Sequence, residues 1–189
     1  VSNPSTNPRS RAWVDVDLGA LKRNLLRVRA AAPACAVVPM VKADGYGLGA
    51  LAVGRACLEA APDHVAALGV ATVAEGEALR AGGWTHPVVV FAPVPPGEED
   101  RAAEAGLTLC LSTLEGVRRW AGAARGAGRR LPFHAEVDTG MGRAGFPWAR
   151  AAEWAPEVAA AAGDQLAWDG CFTHFHSADE PDLASTDAQ

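Results

Sequence analysis

The chain has 189 residues, 49% of them apolar and 21% charged, with a formal net charge of -5. That profile excludes disordered and fibrous classes, and one main domain with a sizeable core is expected. The mildly acidic balance gives no electrostatic footprint for nucleic acid, and no stretch has the apolar length needed to span a bilayer, so neither is an expected partner and the expected location is cytoplasmic.

Residues Val1–Arg11 (VSNPSTNPRSR) lack the apolar core of a signal peptide and are rich in Ser, Asn and Pro, so they are expected to be disordered. Residues 12–189 then form the domain, opening with the alternating segment Trp13 to Asp17, which is expected to be a short strand. After it the chain repeats one theme of an apolar run, a turn and an Ala/Leu/Arg-rich helical stretch. The predicted strands are Ala36 to Val41, Val65 to Val70, Pro87 to Phe91, Leu107 to Leu111, Pro132 to Asp138 and Gly170 to Phe175. Helices are predicted to begin near Leu18, Leu48, Thr72, Gly97, Ser112 and Pro147. Two of these starts carry capping chemistry, Thr72 standing three residues before Glu75 and Ser112 three before Glu115. Cys35, Cys57, Cys110 and Cys171 are spread singly and without metal-ligand spacing. They are expected to be buried reduced thiols, and no metal site is expected.

Regular β-α alternation implies parallel strands with helical crossovers, either a doubly wound sheet or a (βα) barrel. The barrel is favoured. Gly45-Tyr46-Gly47-Leu48-Gly49 does not fit the dinucleotide fingerprint, and the unusual polar residues gather where strands end, which in a parallel barrel is one face. Only about six βα units are readable, whereas a closed (βα)8 barrel has eight and needs about 250 residues. The chain is therefore expected to be a barrel truncated after about six units, part of a longer protein.

The most informative segment is Lys42-Ala43-Asp44-Gly45-Tyr46-Gly47-Leu48, directly after the apolar run that ends at Val41. A lysine at the end of a buried strand is either a solvated side chain or an amine partly withdrawn from water, available as nucleophile or base. Tyr46 adds a hydroxyl able to reach an anionic group such as phosphate. Strand alternation puts Lys42 on one face with Met40 and Val38, His134 with Glu136 and Asp138, and His174 with Phe172. Val137-Asp138-Thr139-Gly140-Met141-Gly142-Arg143 ends a strand in a tight turn carrying a forked cation. It is either a structural turn or a recognition element for a carboxylate or phenolic oxygen, with Glu136 placed to orient Arg143.

These residues resemble the alanine racemase family. The resemblance is carried by Arg11 to Leu18 with Ala20, Leu21 and Asn24; by Val41 to Gly47 with Gly49; by Val137 to Gly145 (VDTGMGRAG); and by Thr173 to Glu180. It implies a pyridoxal 5'-phosphate enzyme that interconverts L- and D-alanine as a homodimer, with this chain supplying its amino-terminal barrel and the carboxy-terminal β domain absent. In that reading Lys42 bonds to the cofactor aldehyde and acts as one catalytic base, Tyr46 binds the cofactor phosphate and His174 lies against the pyridine ring. Arg143 sits beside the phenolic oxygen and the substrate carboxylate. Glu136 stands where many members carry a carbamylated lysine and is expected to hold Arg143 directly. The second base and the partner of the pyridine nitrogen come from regions outside this chain, and Trp13 to Asp17 is implied to pair with the β domain. A racemase of broader substrate range and a non-catalytic carrier of pyridoxal phosphate are the alternatives.

Overall fold

Six strands and their crossovers follow the period-two pattern of the apolar runs, and every strand pair among the described residues is parallel. The computed structural model describes residues 13–189; the predicted disordered segment 1–11 lies outside them. The helix α1 (Leu18–Ala31) starts where Asp17 accepts a hydrogen bond from Ala20 N at 3.0 Å. The short helical turn α2 (Lys42–Tyr46) and helix α3 (Ala50–Ala60) come next. Strand β1 (Leu68–Val70), helix α4 (Val73–Ala81), β2 (Val88–Val90), α5 (Glu99–Glu104), β3 (Thr108–Leu111) and α6 (Leu114–Ala127) then alternate. The chain continues through β4 (Leu131–Asp138), the two-residue β5 (Phe146–Pro147), α7 (Ala151–Ala162), β6 (Leu166–Phe172) and α8 (Ala184–Ala188).

The order β1-β2-β3-β4 with β6 beside β4 is that of successive barrel staves. Residues 36–41 occupy the stave before β1 but make only two parallel bridges, Val37 with Val65 and Met40 with Gly69. Pro39 lacks an N–H and so cannot complete a ladder, although its carbonyl accepts from Gly69 N at 2.9 Å. The last predicted strand is displaced: β6 runs from Leu166 to Phe172, so His174 lies beyond its end. The observed strand starts four residues before the predicted Gly170 and stops three before the predicted Phe175. Trp13 to Asp17 forms no strand among the described residues, and all five residues are exposed.

Alternation divides the strands between two layers. Leu68, Val70, Val88, Val90, Leu109, Leu111, Leu131, Phe133 and Ala135 face the helices and form the main core with Trp120, Val117 and Leu79. Phe133 and Trp120 are fully buried, and burial of a side chain of that size contributes about 1.5–3 kcal/mol. The opposite faces supply a smaller cluster of Ala67, Val89 and Cys110 with Val38, Phe91 and Phe172. That inner layer is where the polar residues enter. Cys57 and Cys110 are buried as expected, but Cys35 and Cys171 are exposed. Cys35 follows the end of α1, and Cys171 lies next to the last residue of β6. Among the described residues no helix is long and apolar enough to cross a membrane.

Candidate active site

Lys42 leaves the buried Val41 in a backbone conformation that L-residues seldom adopt. Ala43, Asp44, Gly45 and Tyr46 have φ of 51°, 53°, 66° and 57°, a single left-handed turn in which each non-glycine residue costs about 1–2 kcal/mol. The turn is closed by Gly45 N to Val41 O at 2.8 Å and Gly47 N to Ala43 O at 2.9 Å. Two carboxylates brace it. Asp44 Oδ1 accepts from Ala50 N at 2.7 Å, and Glu75 Oε1 accepts from Ala43 N at 2.8 Å; a hydrogen bond to a charged group contributes about 1.5–3 kcal/mol. Glycine suits position 45, because a Cβ would sit 3.2 Å from Ala50 N and 3.3 Å from Ala50 Cα.

The outcome is a pair of side chains presented together. Lys42 Nζ lies 5.9 Å from the centroid of the Tyr46 ring, a cation–π distance. The Tyr46 residue is 64% exposed, and among the described residues its hydroxyl makes no hydrogen bond. Both line a cavity of about 620 Å³ together with Val38, Met40, Phe91 and Phe172 on its apolar walls, and Glu136, Arg143 and His174 on its polar side. A second cavity of about 520 Å³ lies behind the turn and is mostly apolar. Its two carboxylates, Asp44 and Glu75, are already engaged with backbone N–H groups.

Arg143 reaches the cavity from the turn after β4. Asp138 Oδ1 accepts from Gly140 N and Gly142 N, both at 3.0 Å. The bonds from Gly142 and Gly140 hold its carboxyl below the usual aspartate range. Gly145, at φ +117°, passes so close to the strand that a Cβ would lie 2.7 Å from Asp138 N. The turn thus folds back on β4 and leaves Arg143 exposed at the cavity rim.

Glu136 is buried, and its Oε2 accepts from Ser112 Oγ at 2.6 Å. The expected direct pair with Arg143 is not formed: among the described residues no ion pair joins them, because the glycine turn carries the guanidinium away from the strand face while a hydroxyl already satisfies the carboxylate. Ser112 was expected to cap a helix. Instead Thr113 caps α6, accepting from Gly116 N at 3.1 Å. The alternation that puts Cys110 inward puts Ser112 inward too, which the sequence could have shown, but it is the register of Cys110 with His134 that brings Ser112 across from Glu136. Burial, and then the Glu136 charge, push the Cys110 thiol up. Burial lowers the pKa of His134, against a smaller opposing effect of Asp169. His134 lies deeper along β4 than Glu136 and does not line the cavity, whereas Asp138 organises the turn at its rim.

His174 is exposed, with Nδ1 placed 2.8 Å from Phe175 O, which can only accept, so Nδ1 carries the proton. A hydroxyl contact at 2.6 Å between Thr139 and Thr173 joins the exits of β4 and β6, keeping the Arg143 turn and His174 together.

The cavity brings together the residue types expected from the sequence: an amine, a phenol, a guanidinium, an imidazole and a carboxylate. Residues 16–189 match the family described as alanine racemase, N-terminal domain. The chain belongs to the alanine racemase family. It is 37% identical over 169 residues to an alanine racemase of Symbiobacterium thermophilum, covering 89% of this chain and 44% of that protein. The crystal structure of an alanine racemase from D-cycloserine-producing Streptomyces lavendulae superposes with a TM-score of 0.84 at 34% identity, covering 92% of this chain and 45% of that one. A histidine racemase from Leuconostoc mesenteroides has the same TM-score, 0.84, at 27% identity, covering 96% of this chain and 48% of that one. The chain spans about half the length of these relatives, and its parallel α/β fold corresponds to the amino-terminal barrel portion of alanine racemases. The family consists of racemases that depend on pyridoxal phosphate.

Proposed function

We propose that this chain is the cofactor-binding barrel portion of an alanine racemase that interconverts L- and D-alanine, completed as a homodimer by regions outside it. The observation that carries the reading is the convergence of Lys42, Tyr46, Arg143 and His174 on one cavity with apolar walls. The donor set suits pyridoxal phosphate: an amine for the aldehyde, a phenol for the phosphate, and aromatic and aliphatic walls for the ring. When bound, that cofactor delocalises the charge left on an amino acid's α-carbon after proton removal.

The chain's own groups have distinct tasks. Lys42 holds the cofactor and moves the α-proton at Nζ on one face of the substrate. Tyr46, whose hydroxyl has no partner among the described residues, binds phosphate. Arg143 engages the substrate carboxylate and the cofactor's phenolic oxygen, since a guanidinium suits forked recognition of such groups. Glu136, held by Ser112, lines the polar side of the cavity together with that guanidinium. Phe91 and Phe172, in edge-to-face contact with centroids 5.1 Å apart, limit water at the inner wall. The proton on the opposite face is handled by a group outside the described residues.

The likeness to a histidine racemase supports a second reading in which the substrate range extends beyond alanine. The test is spectroscopy of the full-length natural protein with pyridoxal phosphate, followed by borohydride reduction and mapping of the labelled lysine. Label on Lys42 is expected, and label on another lysine overturns the assignment. Product analysis with alanine, serine, lysine and histidine then separates the two substrate readings.

A further inference from the structure

We propose that Glu75 is a positioning residue for Lys42, its carboxylate locking the left-handed turn that carries the lysine to the loop between β1 and α4. The inference rests on the reading of Lys42 as the cofactor anchor. Glu75 sits in the first turn of α4, where the capping box with Thr72 is complete: Thr72 Oγ1 accepts from Glu75 N at 3.2 Å, and Glu75 Oε2 accepts from Thr72 N at 3.2 Å. A capping box requires no more of a glutamate than this.

Here the same carboxylate does two further things. Oε2 also accepts from Ala71 N at 2.7 Å, and Oε1 reaches across 32 positions of sequence to Ala43 N at 2.8 Å. Both of these bonds are shorter than the one the cap needs. Ala43 is the residue directly after Lys42 and the first with positive φ, while Ala71 lines the same cavity as Lys42. The two oxygens therefore straddle the seam between the lysine turn and the β1–α4 loop, and a shift of either element breaks a charge-assisted bond. The helix that supplies the carboxylate is itself anchored, with Val73, Gly76 and Leu79 buried. An amide at position 75 cannot reproduce the arrangement, because it offers an acceptor to one side and must set N–H against N–H on the other.

The test separates this role from helix capping. In the full-length natural protein prepared without cofactor, Glu75→Gln is expected to speed amide hydrogen exchange across residues 43–49 by about tenfold or more. Thr72→Ala removes the hydroxyl half of the cap without touching the turn, and is expected to speed exchange in the first turn of α4 alone. With pyridoxal phosphate added, E75Q is expected to need about tenfold more cofactor for half-maximal borohydride label on Lys42, and T72A is not. Unchanged exchange over 43–49 in E75Q, or equal changes there in both variants, overturns the proposal. Should E75Q not fold, Glu75→Asp, which keeps the charge and loses the reach, is read by the same exchange comparison with the same outcomes. Wild-type protein that takes no label on Lys42 sinks the cofactor reading, while the exchange result, obtained without cofactor, still decides whether Glu75 locks the turn.

Discussion

In the turn after Val41 the positive-φ positions include Ala43, Asp44 and Tyr46, whereas in the turn after Asp138 they are all glycine: Gly140, Gly142 and Gly145. Both turns carry a cation to the same cavity. The first keeps its side chains in an unfavourable conformation and is braced from elsewhere in the chain by Glu75, and from within by Asp44 reaching to Ala50. The second is built from residues that accept the conformation without a Cβ and is organised by its own aspartate. The difference is one of dependence: the carboxylate that braces the lysine turn from a separate helix has its counterpart in the arginine turn's own Asp138, although Thr139 also ties that turn to Thr173. The residue that gives the first its chemistry, Tyr46, is itself one of the strained positions, so glycine there would remove the strain and the hydroxyl together.

The largest expected effect comes from putting a side chain into the glycine turn. Gly145→Ala adds a Cβ 2.7 Å from Asp138 N and 3.0 Å from Val137 C at φ +117°, so backbone must move, at about 2–5 kcal/mol from strain and overpacking together. Gly45→Ala is milder at about 1–2 kcal/mol, because alanine tolerates a left-handed φ of 66° better and its nearest contact is 3.2 Å. Denaturant titration of the full-length protein reads both, and a larger loss for G45A than for G145A would reverse the comparison.

The contrast also explains what was legible in the sequence. The barrel-type alternation, the inward face shared by Lys42, Met40 and Val38, and the capping box of Thr72 with Glu75 all depend on local period and spacing, and all appear in the structure. The Ser112–Glu136 bond and the reach of Glu75 to Ala43 depend on which elements become neighbours, so no local pattern announces them. Ser112 is instructive, because its local signature as a helix cap competes with a cross-strand partner, and the burial of Glu136 decides the contest: a carboxylate withdrawn from water needs a donor, and Thr113 was available to cap α6 in its place. The left-handed turn was invisible for a further reason. Ala43 has high intrinsic preference for the right-handed helix, and only the braces around it hold the mirror conformation.

A gain rather than a loss tests that last point. Ala43→Gly removes one Cβ from a position at φ 51°, relieving about 1–2 kcal/mol, against about 0.5–1 kcal/mol for the greater freedom of glycine in the unfolded chain. The net expectation is stabilisation of about 0.5–1 kcal/mol, measured by the same titration. Destabilisation by A43G would mean that the turn is not strained at this residue, and would remove the reason it needs a remote carboxylate.

The smallest effect belongs to Asp138, and pH exposes it. Its carboxyl is depressed in the folded protein by the N–H groups of Gly142 and Gly140. A depressed acid contributes stability that is present above its unfolded pKa of about 3.9 and is lost as pH falls through the folded value. Asp138→Asn keeps an acceptor oxygen at that site but no charge. The gap in melting temperature between wild type and D138N is therefore expected to be small and constant near neutral pH, and to close as pH falls below about 4. A gap that does not change over that range would show the acceptor geometry alone organises the arginine turn. A closing gap assigns part of it to the charge, and makes this turn, like the lysine turn, one that a carboxylate holds, with the difference that here the carboxylate is its own.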